Sequence, residues 1–261
     1  MTSLKASLSE LPNSWRRLER NTGQVEEGDV LKLKLQVNES GDITYSNAQI
    51  DDHPGLKRCD FLNRPPCQLK VEARLKSEGA PKGTAGFGFW NDPFLMTDTK
   101  IPTLPKALWF FWSSDDSNMQ LAQDVPGFGW KMAVIDAWHW PFLSLIPTIP
   151  LSIPLMWWKK SRRLLWPFAQ KAMKCQERMC SVSFFDWHSY EIHWNKEEVF
   201  FYIDGEEQFS TPAPSGPLGL VIWIDNQFMR IDPRAYMKHG NVTLDSSQQL
   251  EIKQFELVHG E

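Results

Sequence analysis

The strongest constraint on this chain is a two-residue period. Runs at Asp29–Val37, Gln68–Leu75, Thr84–Asn91, Ala107–Ser113, Gly129–Asp136, Ser181–Asp186, Ser189–Trp194, Val199–Asp204, Pro217–Asp225 and Leu250–Val258 alternate their side chains between two faces, as strands that bury one face must. Ten such runs with little helical periodicity between them predict an all-β fold, an antiparallel β-sandwich. The clearest hairpin is VFFYIDGEEQFS, where Asp204 and Gly205 supply the positive φ angles of a tight turn. No internal repeat or Gly/Ser-rich linker divides the chain, so residues 1–261 are expected to form a single domain.

One segment breaks the alternation. Ala137 to Trp158 reads AWHWPFLSLIPTIPLSIPLMWW, 22 residues without a formal charge, and KKSRR follows. Its length would cross a bilayer, but Pro141, Pro147, Pro150 and Pro154 each remove a backbone donor, which argues against a spanning helix. The segment is expected to be a Pro-rich apolar flap. An amphipathic helix is predicted after it, from Leu164 or Pro167 to Arg178, with Leu165, Phe168, Ala169, Ala172 and Gln176 near one face and Lys171, Lys174 and Arg178 on the other. Flap and helix together form an insertion at 137–180.

Charge narrows the partners. The net charge of −4 disfavours nucleic acid, whereas Lys159 to Arg178 carries seven Lys/Arg against Glu177 alone. A basic cluster beside an apolar run suits an anionic membrane surface, contacted through residues 140–178. The amino terminus lacks the charged leader and apolar core of a secretory signal. A cytoplasmic, membrane-associated protein is therefore expected, with Cys59, Cys67, Cys175 and Cys180 reduced. No metal site or cofactor is expected, and Asp51-Asp52 reads as a surface turn.

Two blocks carry more than generic strand pattern: CQLKVEARLKSEGAPKGTAGFGFWNDPF, and WHSYEIHWNKEEVFFYIDGEEQF followed by PSGPLGLVIWIDNQF. Together they resemble the concanavalin A-like lectin/glucanase jelly roll, especially family-16 glycoside hydrolases. The resemblance spans Cys67–Asn91 and Trp187–Gln227, with LEIKQFELV as a closing strand. It implies a jelly roll, a fold that hosts lectins, hydrolases and lyases and so does not settle function. Retaining enzymes of that family place Glu-x-Asp-x-Glu on the strand after the "AfW" segment, because nucleophile and acid/base must flank one bond about 5 Å apart. This chain offers ALWFFWSSDDSN there and has no Glu-x-Asp-x-Glu anywhere. Ordinary glucanase chemistry is not expected.

Alternation also assigns faces. Leu220, Ile222 and Ile224 suit the core, leaving Val221, Trp223 and Asp225 opposite; Ala85, Phe87 and Phe89 suit the core, leaving Gly86, Gly88 and Trp90 opposite. The two glycines would leave room for a ligand against the sheet. The run ALWFFWSS is aromatic on both faces, Trp109 and Phe111 against Phe110 and Trp112, so the flap is expected to cover the second face. The expected substrate contacts are Trp90, Asn91, Trp109, Phe111, Trp138, Trp140, Trp223 and Asn226. Acid/base groups are expected from Asp225, His139 and Asp136, since an Asp among aromatic rings resists ionisation.

Aromatic faces stabilise developing positive charge, which points to an isomerase or cyclase acting on an apolar or amphiphilic small molecule such as a terpenoid, polyene or lipid. The alternatives are a noncatalytic carbohydrate- or lipid-binding module descended from a family-16 glycosidase, and a peripheral membrane adaptor. A sugar site calls for amides and carboxylates beside Trp, and the strands read here offer more apolar than polar groups. That balance ranks the sugar module second.

Overall fold

A computed structural model describes residues 2–4, 11–38, 43–93, 101–119, 125–138, 158, 160–161, 164, 175–231 and 237–260. The strands in chain order are β1 (Thr2–Leu4), β2 (Arg16–Arg20), β3 (Gly23–Glu26), β4 (Leu31–Leu35), β5 (Asn47–Asp51), β6 (Cys67–Ser77), β7 (Thr84–Trp90), β8 (Lys106–Ser113) and β9 (Asn118–Met119). They continue with β10 (Gly129–Asp136), β11 (Gln176–Met179), β12 (His188–Trp194), β13 (Glu198–Ile203), β14 (Glu206–Pro212), β15 (Gly219–Asp225), β16 (Gln227–Ile231), β17 (Met237–Asn241) and β18 (Gln248–His259). Two antiparallel sheets face each other: β14-β13-β12-β6-β18-β4-β3, with β1 beside β18, and β11-β10-β8-β7-β15-β5-β2. A small sheet, β17-β16-β9, leaves the end of β15 and contains one parallel pair, β16 with β9. The fold is the expected all-β jelly-roll sandwich.

Strand alternation builds the core directly. In β6, Cys67, Leu69, Val71, Ala73 and Leu75 are buried while the intervening polar residues point outward. Its partner β18 carries a bulge between Ile252 and Gln254. One extra residue there reverses the parity, which lets Leu250 and Ile252 before it and Phe255 and Leu257 after it all face inward. Between the sheets, Phe110 packs on Tyr190 at 5.0 Å, Phe201 at 5.3 Å and Trp130 at 5.7 Å. The Asp204-Gly205 turn has φ of 53° and 82°, as the hairpin sequence demands.

Two sequence expectations are corrected here. Ser181–Asp186 is a pair of turns, not a strand: Phe184 plugs the core, stacked on Trp130 at 3.7 Å, and its carbonyl accepts from the Leu75 amide. The predicted helix does not reach Arg178. Gln176–Met179 forms edge strand β11 against β10, and the Cys180 amide continues the pairing by donating to the Trp130 carbonyl. Sheet pairing outweighs helical periodicity in so short a segment. The rest of the predicted helix, 165–174, and the flap core, 139–157, lie outside the described residues. Among the described residues, no helix is long and apolar enough to cross a membrane.

Phe110 has no exposed surface and touches both layers. Phe110→Ala should lower unfolding stability by about 3–5 kcal/mol, read as a fall in the urea midpoint; a loss under about 1 kcal/mol would show that the ring does not hold the sheets together.

Candidate functional site

The strand register lays the outer face of the seven-stranded sheet out in transverse rows. One row holds Arg20, Asn47, Asp225, Thr84 and Ser113. The next holds Leu18, Gln49, Trp223, Gly86, Phe111 and Lys131, and the third holds Arg16, Asp51, Val221, Gly88, Trp109, Ala133 and Glu177. A fourth contains Gly219, Trp90, Ala107 and Ile135. Directly opposed residues project from the same face, and the alternate residues of β7, β8 and β15 fill the core, so these rows face away from it.

The centre of this face is aromatic. Trp109 lies 5.4 Å from Trp223, 5.7 Å from Phe111 and 6.4 Å from Trp90, ring to ring. Trp90, Phe111 and Trp223 are buried, Trp109 is half-buried, and Met119 of the small sheet packs against them. The expectation that Gly86 and Gly88 leave space for a ligand is overturned. A Cβ on Gly86 would lie 2.7 Å from Cη2 of Trp223, and one on Gly88 would lie 2.6 Å from Cβ of Trp109. The glycines make room for the protein's own indoles.

Polar groups flank the rings on both sides. On β5, Asn47, Gln49 and Asp51 are buried in succession; Gln49 Nε2 donates to Asp51 Oδ2 at 3.0 Å, and Arg16 grips both Asp51 oxygens at 3.0 and 3.1 Å. Opposite them, the buried Lys131 Nζ donates to Glu177 Oε1 at 3.1 Å and to the Pro126 carbonyl at 3.2 Å. In the first row, Trp223 Nε1 donates to Thr84 Oγ1 at 2.9 Å, and Thr84 Oγ1 donates to Asp225 Oδ1 at 2.7 Å. The Gln227 amide also donates to that oxygen, at 3.1 Å. Burial is the largest influence on Asp225 and raises its carboxyl to about 6, although these hydrogen bonds oppose it. Among the described residues, Ser113 Oγ and Trp90 Nε1 are buried without a hydrogen-bond partner, and the Tyr45 hydroxyl and Asn47 Oδ1 are buried with no close partner beyond a weak interaction with each other.

The expected acid/base set is not assembled. Asp136 pairs with Lys106 on the core-facing parity of β10 and β8, beyond the fourth row, whereas Asp225 is in the first row on the outer face. About seven strand residues, on the order of 23 Å, separate them along the sheet. Asp136 Oδ1 instead accepts from the Trp138 amide at 3.0 Å. His139 and Trp140 lie outside the described residues. Trp138 is half exposed at the same end as Asp136, its Nε1 shared between Thr103 Oγ1 and the Leu104 carbonyl.

The two expected amides are fasteners. Asn91 Nδ2 donates to the Leu104 carbonyl and its Oδ1 accepts from the Lys106 amide, each near 3.0 Å. Asn226 accepts from the Ser46 amide and donates to the carbonyls of Thr44 and Val242. Of the expected contacts, Trp90, Trp109, Phe111 and Trp223 come together. Arg16, Asn47, Gln49 and Asp51 were missed because RRLER and NAQID are short and polar; the available signal was inverted, with Ala48 and Ile50 as the core pair between three polar residues. Asp51 and Asp52 are buried, not a surface turn: Asp52 accepts from the Leu220 amide and from Asn63 Nδ2. Among the described residues, no cluster of three or more His, Cys, Asp or Glu could hold a metal ion.

No family model matches the chain, and no curated protein matches its sequence. Solved structures do. The Emp47p carbohydrate recognition domain superposes with a TM-score of 0.51 at 14% identity, covering 99% of this chain and 95% of that one. The Crh5 transglycosylase in complex with NAG gives 0.53 at 11%, covering 100% and 85%, and the Bacillus licheniformis β-glucanase gives 0.52 at 8%, covering 99% and 98%. At these identities the likeness carries the fold alone. The expectation of isomerase or cyclase class is overturned, because the enzymes among these neighbours are glycosidases and a transglycosylase. The chain has the jelly-roll sandwich fold of these structures, and the outer face of its seven-stranded sheet carries an aromatic floor.

Proposed function

We propose that this protein is a noncatalytic carbohydrate-binding module that takes a glycan on the outer face of its seven-stranded sheet. The observation that carries this reading is the aromatic floor lying directly beside buried polar atoms that lack a close partner. The half-buried Trp109, backed by the buried rings around it, offers an indole face that can stack on the C–H face of a pyranose. The Tyr45 hydroxyl and Ser113 Oγ can donate or accept, while Asn47 Oδ1 accepts, a mixture suited to sugar hydroxyls. A purely apolar ligand would leave these groups unpaired, at about 1–3 kcal/mol each. The likeness to the Emp47p carbohydrate recognition domain and to glycosidases supports the same class of ligand.

Carboxylate placement argues against hydrolysis. Glycosidases need two carboxyl groups about 5 to 9.5 Å apart. Among the described residues, the outward rows hold Asp51, Asp225 and Glu177. Asp225 opposes Asn47, four residues before Asp51, which puts the two on the order of 13 Å apart along the strand. Glu177 lies four strands from Asp225, on the order of 19 Å, and is paired with Lys131. The outward positions of β8, namely Ala107, Trp109, Phe111 and Ser113, carry no carboxyl group.

A glycan array followed by calorimetry should find an oligosaccharide ligand without release of reducing ends. Trp109→Ala should weaken it about tenfold or more, near 1.4 kcal/mol, measured at a temperature where circular dichroism shows the variant still folded. A silent array, or turnover of the bound glycan, would refute the proposal. Stability should also report Asp225. Its folded carboxyl titrates near 6 against an ordinary 3.8, so its contribution is full below 3.8 and is lost as pH rises through 6, worth up to about 3 kcal/mol. Asp225→Asn stays neutral and escapes that loss, so the variant should gain thermal stability relative to wild type between pH 4 and 7.5; parallel curves would rule this out.

A further inference from the structure

Asp225 is the last residue of β15, and one of its oxygens serves two parts of the molecule. Oδ1 accepts from Thr84 Oγ1 at 2.7 Å and from the Gln227 amide, the first residue of β16, at 3.1 Å. Thr84 Oγ1 in turn accepts from Trp223 Nε1 at 2.9 Å. The proton order of this relay is fixed while Asp225 is ionised. An indole N–H can only donate, so the Thr84 hydroxyl must accept from Trp223 and spend its single proton on Asp225. Gly86 completes the arrangement, since a side chain there would meet Trp223 Cη2 at 2.7 Å.

We propose that Asp225 is a positioning residue, a proton-controlled clamp that orders the Trp223 ring through Thr84 and anchors the small sheet through Gln227. Its bearing on ligand binding rests on the glycan reading above; the clamp itself does not. An ionised acceptor makes hydrogen bonds roughly twice as strong as a neutral one. With Asp225 ionised, Trp223 and the start of β16 are held; with it protonated, both are loosened, and so is Met119, which reaches the aromatic floor from β9 beside β16. Ionisation thus lowers global stability through burial while tightening these two local bonds.

The surroundings leave the control with Asp225. From the β2–β5 side it faces Tyr45, whose hydroxyl is pushed up by burial first and by the Asp225 charge second. The Arg20 guanidinium lies 5.9 Å from the Tyr45 ring. Among the described residues, the rest of its row is Arg20 beyond Asn47 on one side and Thr84 and Ser113 on the other. Beyond the row end, Lys82 interacts with Asp115, Asp116 and Asp245, and on the small sheet Arg230 donates to the Asp116 carbonyl and opposes Lys238.

The test needs no ligand. In protein labelled with 5-fluorotryptophan, the Trp223 fluorine resonance is identified by its absence from Trp223→Phe. It should move in one step centred near pH 6, broadening on the acid side. The step should vanish in Asp225→Asn and in Thr84→Val, and return in Thr84→Ser. A resonance unmoved between pH 4.5 and 7.5, or one that still titrates in Asp225→Asn, overturns the clamp whether or not a glycan is ever found. A silent glycan array with the step intact would overturn only the glycan reading.

Discussion

The outer face depends on one packing contact, the Trp223 ring lying across Gly86. The central strands β7, β8 and β15 are buried on both faces, so they need cover on the side away from the core. In most sandwiches that side meets water and is polar. Here the sheet supplies part of its own cover. Two glycines in β7 allow this: a side chain at Gly86 would collide with the Phe110 carbonyl and the Trp223 ring, and one at Gly88 with the Leu108 carbonyl and with Cα and Cβ of Trp109. Without those glycines the four rings could not lie against the sheet as a single floor, and the polar row at its end would have no apolar neighbour.

The floor also decides which side chains the middle of this face can hold. On β8 the outward positions are the ones nearest the middle of the face, and side chains there meet whatever lies on the sheet. Carboxylates at those positions would demand hydration or partners. Trp109 and Phe111 demand the opposite, and they find it in each other and in Trp223. The remaining acids are then held where they can be neutralised: Asp51 by Arg16, Glu177 by Lys131, and Asp225 by keeping a proton up to about pH 6. Asp51 and Glu177 are thus paired with cations, whereas Asp225 is held by hydrogen bonds alone.

Much of this was legible in the sequence, and the parts that were not share a cause. Strands with a strong apolar face show the right parity in the sequence, which puts Phe87 and Ile222 in the core and Trp90 and Trp223 opposite them, while the doubly aromatic β8 does not reveal which of its faces is the core one. β5 was invisible because its outward residues are Asn47, Gln49 and Asp51 and its inward pair is only Ala48 and Ile50. A strand of five residues cannot announce itself by hydrophobicity when burial comes from its neighbours. The omission mattered, since those amides and that carboxylate are what shift the face from apolar to mixed. β11 was mistaken for helix for a related reason: four residues at a sheet edge gain their structure from β10, and local pattern says little about a partner distant in sequence. Loose pairings of polar residues by sequence proximity also failed. Asp136 and Asp225 both end strands, but β10 and β15 run in opposite directions with β8 and β7 between them, so the two acids lie at opposite ends of the sheet.

The same geometry fixes which polar groups can serve a ligand. Asn91 and Asn226 look like binding amides in sequence because they flank Trp90 and Asp225, yet each has spent its donors and acceptor on backbone groups. An amide so satisfied could bind a sugar only by surrendering bonds that hold a loop. Tyr45, Asn47 and Ser113 are in the reverse position, with atoms removed from water and given little in return. A buried group left unpaired costs stability, and a fold keeps such a group where something else completes it. Three of them border the face that carries Trp109 and Trp223, which is why the polar row and the aromatic floor are better understood as one surface than as a core defect beside a hydrophobic patch.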